Sequence, residues 1–323
     1  MQVWRSPEDV PRDTKSVATI GIFDGVHLGH RAVLGATIAA ARDRGVLAVA
    51  VTFDPHPVTV HRPETFKSLL SGITDRLELL AEVGLDATLL IEYTAEFAQL
   101  SPRDFVVTYF VDLLGVDTIV IGEDTRFGRD NSGDRHLLTE LGEEFGFTVE
   151  VIPDVADVAE RRWSSSWARE LIQAGQVEKA AAILGRPHRM RGIVVRGEQR
   201  GREMGFPTAN LAPTATGAIP ADGVYAGWLL RATGDRLPAA ISVGTNPTFD
   251  GEHRTVEAHA LWRTDLELYG EEIVVEFTHH LRPTLRFDGI PALVEQMSKD
   301  VALAGNVLGV TDRSRYVDRD RRV

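Results

Sequence analysis

The sequence predicts an α/β half built on a parallel sheet, followed by an all-β half that forms a small barrel closed by one helix. Three observations carry this. Up to residue 152, short apolar runs alternate with amphipathic helical segments at the spacing of strand–helix–strand units. After residue 187 the pattern changes to short strands separated by turn signals. Between the two regimes stands Gly185-Arg186-Pro187, where glycine ends a helix and proline prevents its continuation, so the domains are expected at 1–186 and 187–310.

Each element has its own signal. Ser16–Gly21 reads as a buried strand and Ala32–Arg42 as a helix. Leu47–Phe53 is continuously apolar, as a strand covered on both faces requires. A helical pattern at Asp75–Glu82 leads to a strand at Ala87–Ile91. Ser101-Pro102-Arg103-Asp104 opens another helix, with a capping hydroxyl, a proline at the first position and an acid in the first turn. Strand Thr118–Ile121, helix Arg135–Glu144 and strand Phe147–Ile152 complete the alternation. Helical segments Trp167–Ala174 and Val177–Leu184 stop at Gly175 and Gly185. Strands follow at Gly192–Arg196, Gly223–Arg231, Ala239–Val243, Arg254–Trp262 and Glu272–Phe277. The closing helix takes Asp288 as its cap and sets Ile290, Leu293, Val294, Met297 and Val301 on one face. Residues 311–323 form a charged tail with little to bury, predicted to be disordered.

Composition narrows the function. The absence of cysteine excludes disulfide scaffolding and thiolate chemistry. No apolar run approaches the ~18 residues of a membrane span, and the first residues are polar and acidic, unlike a signal peptide. The chain is expected in the cytoplasm, without a membrane partner. A net charge of −12, from 35 basic and 47 acidic residues, argues against a nucleic-acid partner. Phosphorylated small molecules would have to be gripped locally.

The strongest local pattern is Gly21-Ile-Phe-Asp-Gly-Val-His-Leu-Gly-His30, a turn leading into a helix. It is neither a P-loop nor GxGxxG, and no HExxH or cysteine supports a zinc site. A helix N-terminus favours an anion. Gly25 and Gly29 permit close approach to the backbone, and His27 and His30, three apart, can both donate to one phosphate chain. The competing reading is that one imidazole caps the turn and the other packs. Ser164-Ser-Ser-Trp-Ala-Arg169 starts a second helix, with hydroxyls and Arg169 in or near its first turn. Alone it is a plain N-cap; two such starts in one α/β domain are what a nucleoside triphosphate requires.

Together these motifs resemble the HxGH-bearing nucleotidyltransferases, a Rossmann-like fold, and specifically the adenylyltransferase half of bacterial FAD synthetases. Phe53-Asp-Pro-His-Pro57, Ile121-Gly-Glu-Asp-Thr-Arg-Phe-Gly128 and Asn131-Ser-Gly133 agree with that family. The resemblance implies that the FMN phosphate attacks the α-phosphorus of ATP and pyrophosphate leaves, giving FAD without a covalent enzyme intermediate. It assigns His27 and His30 to the phosphates in flight, Ser165 and Arg169 to the departing pyrophosphate, Asp124 to ATP, and His56 and Arg126 to the flavin. For His56 a purely structural Pro-His-Pro turn is an equal reading. Thr125 departs from the family, which usually has Phe there.

In the second half, Arg200-Gly-Arg-Glu-Met-Gly-Phe-Pro-Thr-Ala-Asn210 offers Gly201 and Gly205 for a loop around a phosphate. Thr208 and Asn210 alternate, so their oxygens share one side, a donor set that suits Mg²⁺. An isolated PTAN is a turn with a capping Asn. With Pro220–Tyr225, Gly244–Thr248, Val256-Glu257 and Leu268–Gly270, however, the segment resembles riboflavin kinase, in order and across the whole half. That resemblance implies ATP-dependent phosphorylation of riboflavin to FMN. Glu257 would take the hydroxyl proton, and Thr208 and Asn210 would hold Mg²⁺ against the phosphates. Met204 replaces the more usual Leu. The expected protein makes FMN in its second half and FAD in its first. The alternatives are one retained activity, or a catalytically dead flavin- or nucleotide-binding regulator.

Overall fold

The computed structural model describes residues 1–61, 64, 68–154, 162–197, 200–248, 251–310 and 316. The chain packs as two units: residues 1–67 with 73–164, and residues 68–72 with 165–323.

The first unit contains strands β1 (Gln2–Trp4), β2 (Ser16–Ile20), β3 (Leu47–Asp54), β4 (Ala87–Glu92), β5 (Val116–Gly122) and β6 (Thr148–Ile152). Its helices are α1 (Leu28–Arg44), α2 (Pro57–His61), α3 (Ile73–Val83), α4 (Pro102–Phe105) and α5 (Arg135–Phe145). The strands form one parallel sheet in the order β1-β4-β3-β2-β5-β6. All five residues of β2 are buried. Along β3, Val49, Val51 and Phe53 enter one core, while Ala48 and Ala50 enter the other, so the apolar run is covered on both faces. One core takes Phe105, Val106, Phe110, Leu138 and Leu141 from the α4–α5 side; the other takes Leu34 and Ala41 of α1 with Leu79 and Leu80 of α3.

Local signals set the helix ends. Ser101 accepts from the Asp104 N–H, as expected, but the helix then widens into a π-helical stretch, Val106–Leu113. Asp134 accepts from the His136 and Leu137 N–H groups, and Gly146 ends α5 in the left-handed conformation. Strand β1 was not anticipated. Its Trp4 is buried, although its flanks read as polar.

The second unit begins with α6 (Ser165–Gln173) and α7 (Val177–Leu184). Strands β7 (His188–Val195), β8 (Ala209–Leu211), β9 (Gly223–Arg231), β10 (Arg236–Thr248), β11 (Gly251–Ala260) and β12 (Glu272–Arg282) close an antiparallel barrel in the order β10-β11-β8-β7-β12-β9. A short helix, α8 (Arg200–Glu203), precedes β8, and α9 (Ile290–Val307) closes the unit. The α6–α7 pair groups with the barrel: Val177 sits in the barrel's core cluster, and Glu178 accepts from the His280 N–H at 2.8 Å. The Ile172 carbonyl accepts from the Ala221 N–H at 3.3 Å. The two helix starts read from the sequence as one domain thus fall in different packing units.

The closing helix corrects two details. Gly289, not Asp288, occupies its N-cap, and Ile290 is 66% exposed. The helix docks mainly through its later turns. Asp300 accepts from both Nε–H and Nη2–H of Arg282, Ala304 is buried in a cluster with Leu261, and Trp262 packs against it. Of the tail at 311–323, Tyr316 is described and packs against the barrel core; the disorder expected for the rest concerns residues outside those described. Among the described residues no helix is long and apolar enough to cross a membrane.

His188 gives the barrel a pH dependence. It is buried, stacks on Phe277, and its Nε2–H donates to the Ala218 carbonyl at 2.6 Å. Burial lowers its pKa to about 4, with the Ala218 bond opposing and Arg186 reinforcing. The unfolded chain binds this proton near pH 6.5. The stabilisation is therefore complete above that pH and is lost as pH falls toward 4, by about 3 kcal/mol. Urea unfolding at pH 7 and 4.5 should show a smaller acid loss for His188→Gln than for the parent; equal losses would place the acid sensitivity elsewhere.

Candidate active sites

In the parallel sheet the strand order reverses between β2 and β5: β3 and β4 lie to one side of β2, β5 and β6 to the other. Such a switch point opens a crevice beyond the carboxyl ends of the two strands. The segments leaving those ends are the Gly21–His30 turn and the Gly122–Gly128 loop.

The turn is strained. Phe23 (φ 52°), Gly25 (φ 76°) and Val26 (φ 37°) all adopt positive φ, which a β-branched valine rarely tolerates. Burial of Phe23 and Val26 holds it in place. The turn delivers His27 to the N-cap of α1. Its Nδ1 accepts the His30 N–H at 3.3 Å, so the neutral ring carries its proton on Nε2. The two imidazoles stack with centroids 3.7 Å apart, and Phe23 meets His30 edge-on at 5.3 Å. Gly29 makes room for this: a Cβ there would lie 3.0 Å from His27 Cε1. Capping and ligand presentation are therefore compatible. His27 caps through one nitrogen and keeps its proton on the other.

His30 is pushed well below the usual imidazole pKa, by burial first, then by His27 and by Arg162. Its Nδ1 is buried and makes no hydrogen bond among the described residues. Arg162 was missed in the sequence, where it reads as one of two adjacent surface arginines. It bonds Asp124 at 2.5 Å and lies 3.3 Å from Asp154, which ties the loop after β5 to the segment leading to Ser164. The Trp163 carbonyl lies 3.8 Å from the Cβ position of Gly29, beside the start of α1. His27, His30, Gly25, Gly29 and Asp124 thus belong to one end of one sheet.

Other assigned residues have structural partners. His56 Nδ1 accepts the Val58 N–H at 3.1 Å, which sets the first turn of α2. Arg126 donates to the Thr125 carbonyl at 3.0 Å, within its own loop. In the second packing unit, Ser165 is the first residue of α6, and Arg169 Nε–H donates to the Ser68 carbonyl at 2.7 Å.

The barrel builds a different site. Glu257 on β11 pairs directly with Asn210 on β8, which puts both side chains on one face. Val256, Ala258 and Ala260 enter the barrel core, so Glu257 and His259 occupy the opposite, outer face. Thr208 Oγ1 donates to Glu257 at 3.1 Å, and Asn210 Nδ2 donates to Thr208 Oγ1 at 3.3 Å. A Cβ at Gly197 would lie 2.7 Å from Asn210 Oδ1, so a side chain there would displace the Asn210 amide. At Gly201 a Cβ would meet the Phe206 carbonyl at 2.5 Å, and Gly205 has φ 83°. The loop thus closes on itself above the site. His259, also unanticipated, is buried beneath it; Nδ1–H donates to the Pro207 carbonyl at 2.8 Å, and burial lowers its pKa. The adjoining cleft is lined by Gly197, Arg202, Thr208, Asn210, Arg263 and Tyr269.

Comparison with known proteins identifies the family of each half. The FAD synthetase family matches residues 9–167, and the riboflavin kinase family matches residues 184–308. The bifunctional riboflavin kinase/FMN adenylyltransferase of Listeria monocytogenes is 35% identical, over 89% of this chain and 91% of its own length. The protein of that name from Escherichia coli K12 is 33% identical, over 91% and 93%. A solved Streptococcus pneumoniae chain, named a macrolide-efflux protein, superposes with a TM-score of 0.83 at 30% identity, covering 94% of this chain and 98% of its own. With an FAD synthetase half before a riboflavin kinase half, the chain belongs to the bifunctional riboflavin kinase/FMN adenylyltransferase family.

Proposed function

We propose that riboflavin is phosphorylated at the Thr208–Asn210–Glu257 site and that the FMN formed is adenylylated at the His27–His30 turn, with one ATP used in each step. The functional boundary is placed at 186/187, giving residues 1–186 to adenylyl transfer and 187–310 to the kinase. The family matches support it, one ending at 167 and the other beginning at 184. So does Gly185, which ends α7 in the left-handed conformation. The same reading keeps the protein in the cytoplasm, where ATP is supplied, and without a nucleic-acid partner, given its −12 charge.

The observation that carries the kinase assignment is the register pairing of Glu257 with Asn210. Glu257 accepts a hydrogen bond from Thr208 and is the carboxylate available to take the proton of the riboflavin 5′-hydroxyl. Thr208 Oγ1 and the Asn210 amide oxygen are neutral, hard donors fitting Mg²⁺, and the Asn210 amide lies against Gly197. Mg²⁺ there would neutralise phosphate charge. Arg202, lining the cleft, adds positive charge for ATP.

For adenylyl transfer the carrying observation is the stacked imidazole pair at a helix start within the switch-point crevice. The His27 Nε2–H and His30 act as donors to the phosphates, with the helix dipole adding to them. Asp124 is oriented by Arg162. Ser165 and Arg169 are assigned to pyrophosphate, and His56 and Arg126 to the flavin, on family resemblance.

The two halves should fail separately. His27→Ala and His30→Ala should slow conversion of FMN to FAD by about 100-fold or more while FMN still forms from riboflavin. Glu257→Ala should slow FMN formation by about 10²–10⁴-fold while added FMN is still converted to FAD. Chromatography of the flavins decides; full-rate FAD formation by the histidine variants would refute the first assignment. Chelation of divalent cations should stop riboflavin phosphorylation, with Mg²⁺ restoring it, and Thr208→Val should raise the Mg²⁺ needed for half-maximal rate. An unchanged requirement would remove Thr208 from the metal site. In NMR titration of the ligand-free protein, His30 should stay neutral to well below pH 6.5, and bound ATP should raise its pKa because the phosphates favour the cation. A free-histidine titration would contradict the buried stacked geometry.

A further inference from the structure

Arg76 lies on α3 and is 2% exposed, yet it makes none of the contacts assigned above. Its Nη1–H donates to the Ile22 carbonyl at 2.9 Å, and its Nη2–H donates to the Phe53 carbonyl at 2.9 Å. Asp54 lies 3.8 Å from Nη2. Burial lowers its pKa from the usual guanidinium value, with attraction from Asp24 and Asp54 opposing. Its Nε is buried and has no hydrogen-bond partner among the described residues.

The two accepting carbonyls have a particular place. Ile22 is the second residue past β2, on the strained turn that ends at His27. Phe53 is the penultimate residue of β3, before Asp54, cis-Pro55 and His56. The Ile22 carbonyl also accepts from Thr52 Oγ1 at 3.2 Å. A guanidinium is a rigid fork, so serving both carbonyls fixes the spacing between the two departing segments. An aliphatic side chain would fill the volume without burying a charge or stranding Nε. For stability alone a buried ion with one unmatched donor is a poor choice.

We propose that Arg76 is a positioning residue for adenylyl transfer, clamping the Gly21–His30 turn to the Asp54–Pro57 loop so that His27 and His30 meet the nucleotide phosphates in reactive geometry. This rests on the assignment of the two histidines to the phosphates. Arg76 touches no reacting atom; it acts through the turn. Lysine keeps the charge but donates from a point, so it serves one carbonyl well and the other poorly.

The test uses the full-length protein with Arg76→Met, Arg76→Lys, His27→Ala and Leu79→Ala. The last is a cavity control at a buried position on the same helix. FMN-to-FAD and riboflavin-to-FMN rates are measured on each, with melting temperature. Arg76→Met should lower kcat for FAD formation about 100-fold, the size of effect expected from a displacement of about 1 Å at a reacting group. KM for ATP and FMN should stay within about threefold, and FMN formation within about twofold. Arg76→Lys should fall between, near 10-fold by the same reasoning. Leu79→Ala should lower the melting temperature with little change in kcat. A purely structural arginine would instead give a loss that tracks stability, so a kcat for Leu79→Ala as low as for Arg76→Met overturns the proposal. Full kcat in Arg76→Met does so as well. If the methionine variant does not fold, wild-type kcat in Arg76→Lys overturns it, and a reduced kcat at unchanged KM supports it. Full activity in His27→Ala would instead bring down the histidine assignment, a result distinct from any outcome at Arg76.

Discussion

The first unit depends on the burial of β2. The strand is paired in parallel with β3 on one edge and β5 on the other, and all five of its residues are buried. Its ladder satisfies the backbone groups only while the strand continues, and at its carboxyl end the chain must turn at once into α1. The strained turn, the capping imidazole and the close approach at Gly29 are all answers to that demand. The same parallel pairing obliges β5 to begin on the far side of β2, which opens the crevice where the two loops meet. The fold therefore brings the turn before α1 and the loop after β5 to the same end of the sheet.

The barrel meets its site by register rather than by a strand end. Alternation along β11 sends Val256, Ala258 and Ala260 inward, which obliges Glu257 and His259 to face outward. The polar pair would lie on an open wall if the segment from α8 to Thr208 did not fold over it. Phe206 packs edge-on to His259 at 5.5 Å, and Pro207 accepts its N–H. A covered wall keeps the carboxylate half-buried, where a hydrogen bond to it counts for more than in water.

Much of this was legible in the residues, for reasons that differ by position. Ser101, Gly175 and Gly185 act on neighbours within one turn of the chain, and such short-range effects are readable. So were the limits of β9 and α7 and the covered strand β3, where composition and period agree. The HxGH segment was legible as a turn into a helix, and the PTAN segment as an extended stretch entering a strand. What remained hidden depends on distant partners. Arg76 and Arg162 look like any charged helix or loop residue until the carbonyls and carboxylates they meet are known. His259 reads as a strand residue, because only the fold of the loop above buries it. The allegiance of α6 and α7 was likewise unreadable: amphipathic period says that a face is covered, not by what. Strand β1 escaped because its three residues are too few to show a period, and Asp288 misled because acidic caps are common while the docking partners of α9 lie further along the chain.

The path of the chain between packing units has a consequence for inheritance. The chain passes from the first unit to the second after residue 67, returns after 72, and passes over again after 164. No single recombination point can exchange one intact unit for a homologous one, because the five residues 68–72 travel with the first gene segment while packing with the second. A cut of the gene at any one place therefore leaves one packing unit incomplete.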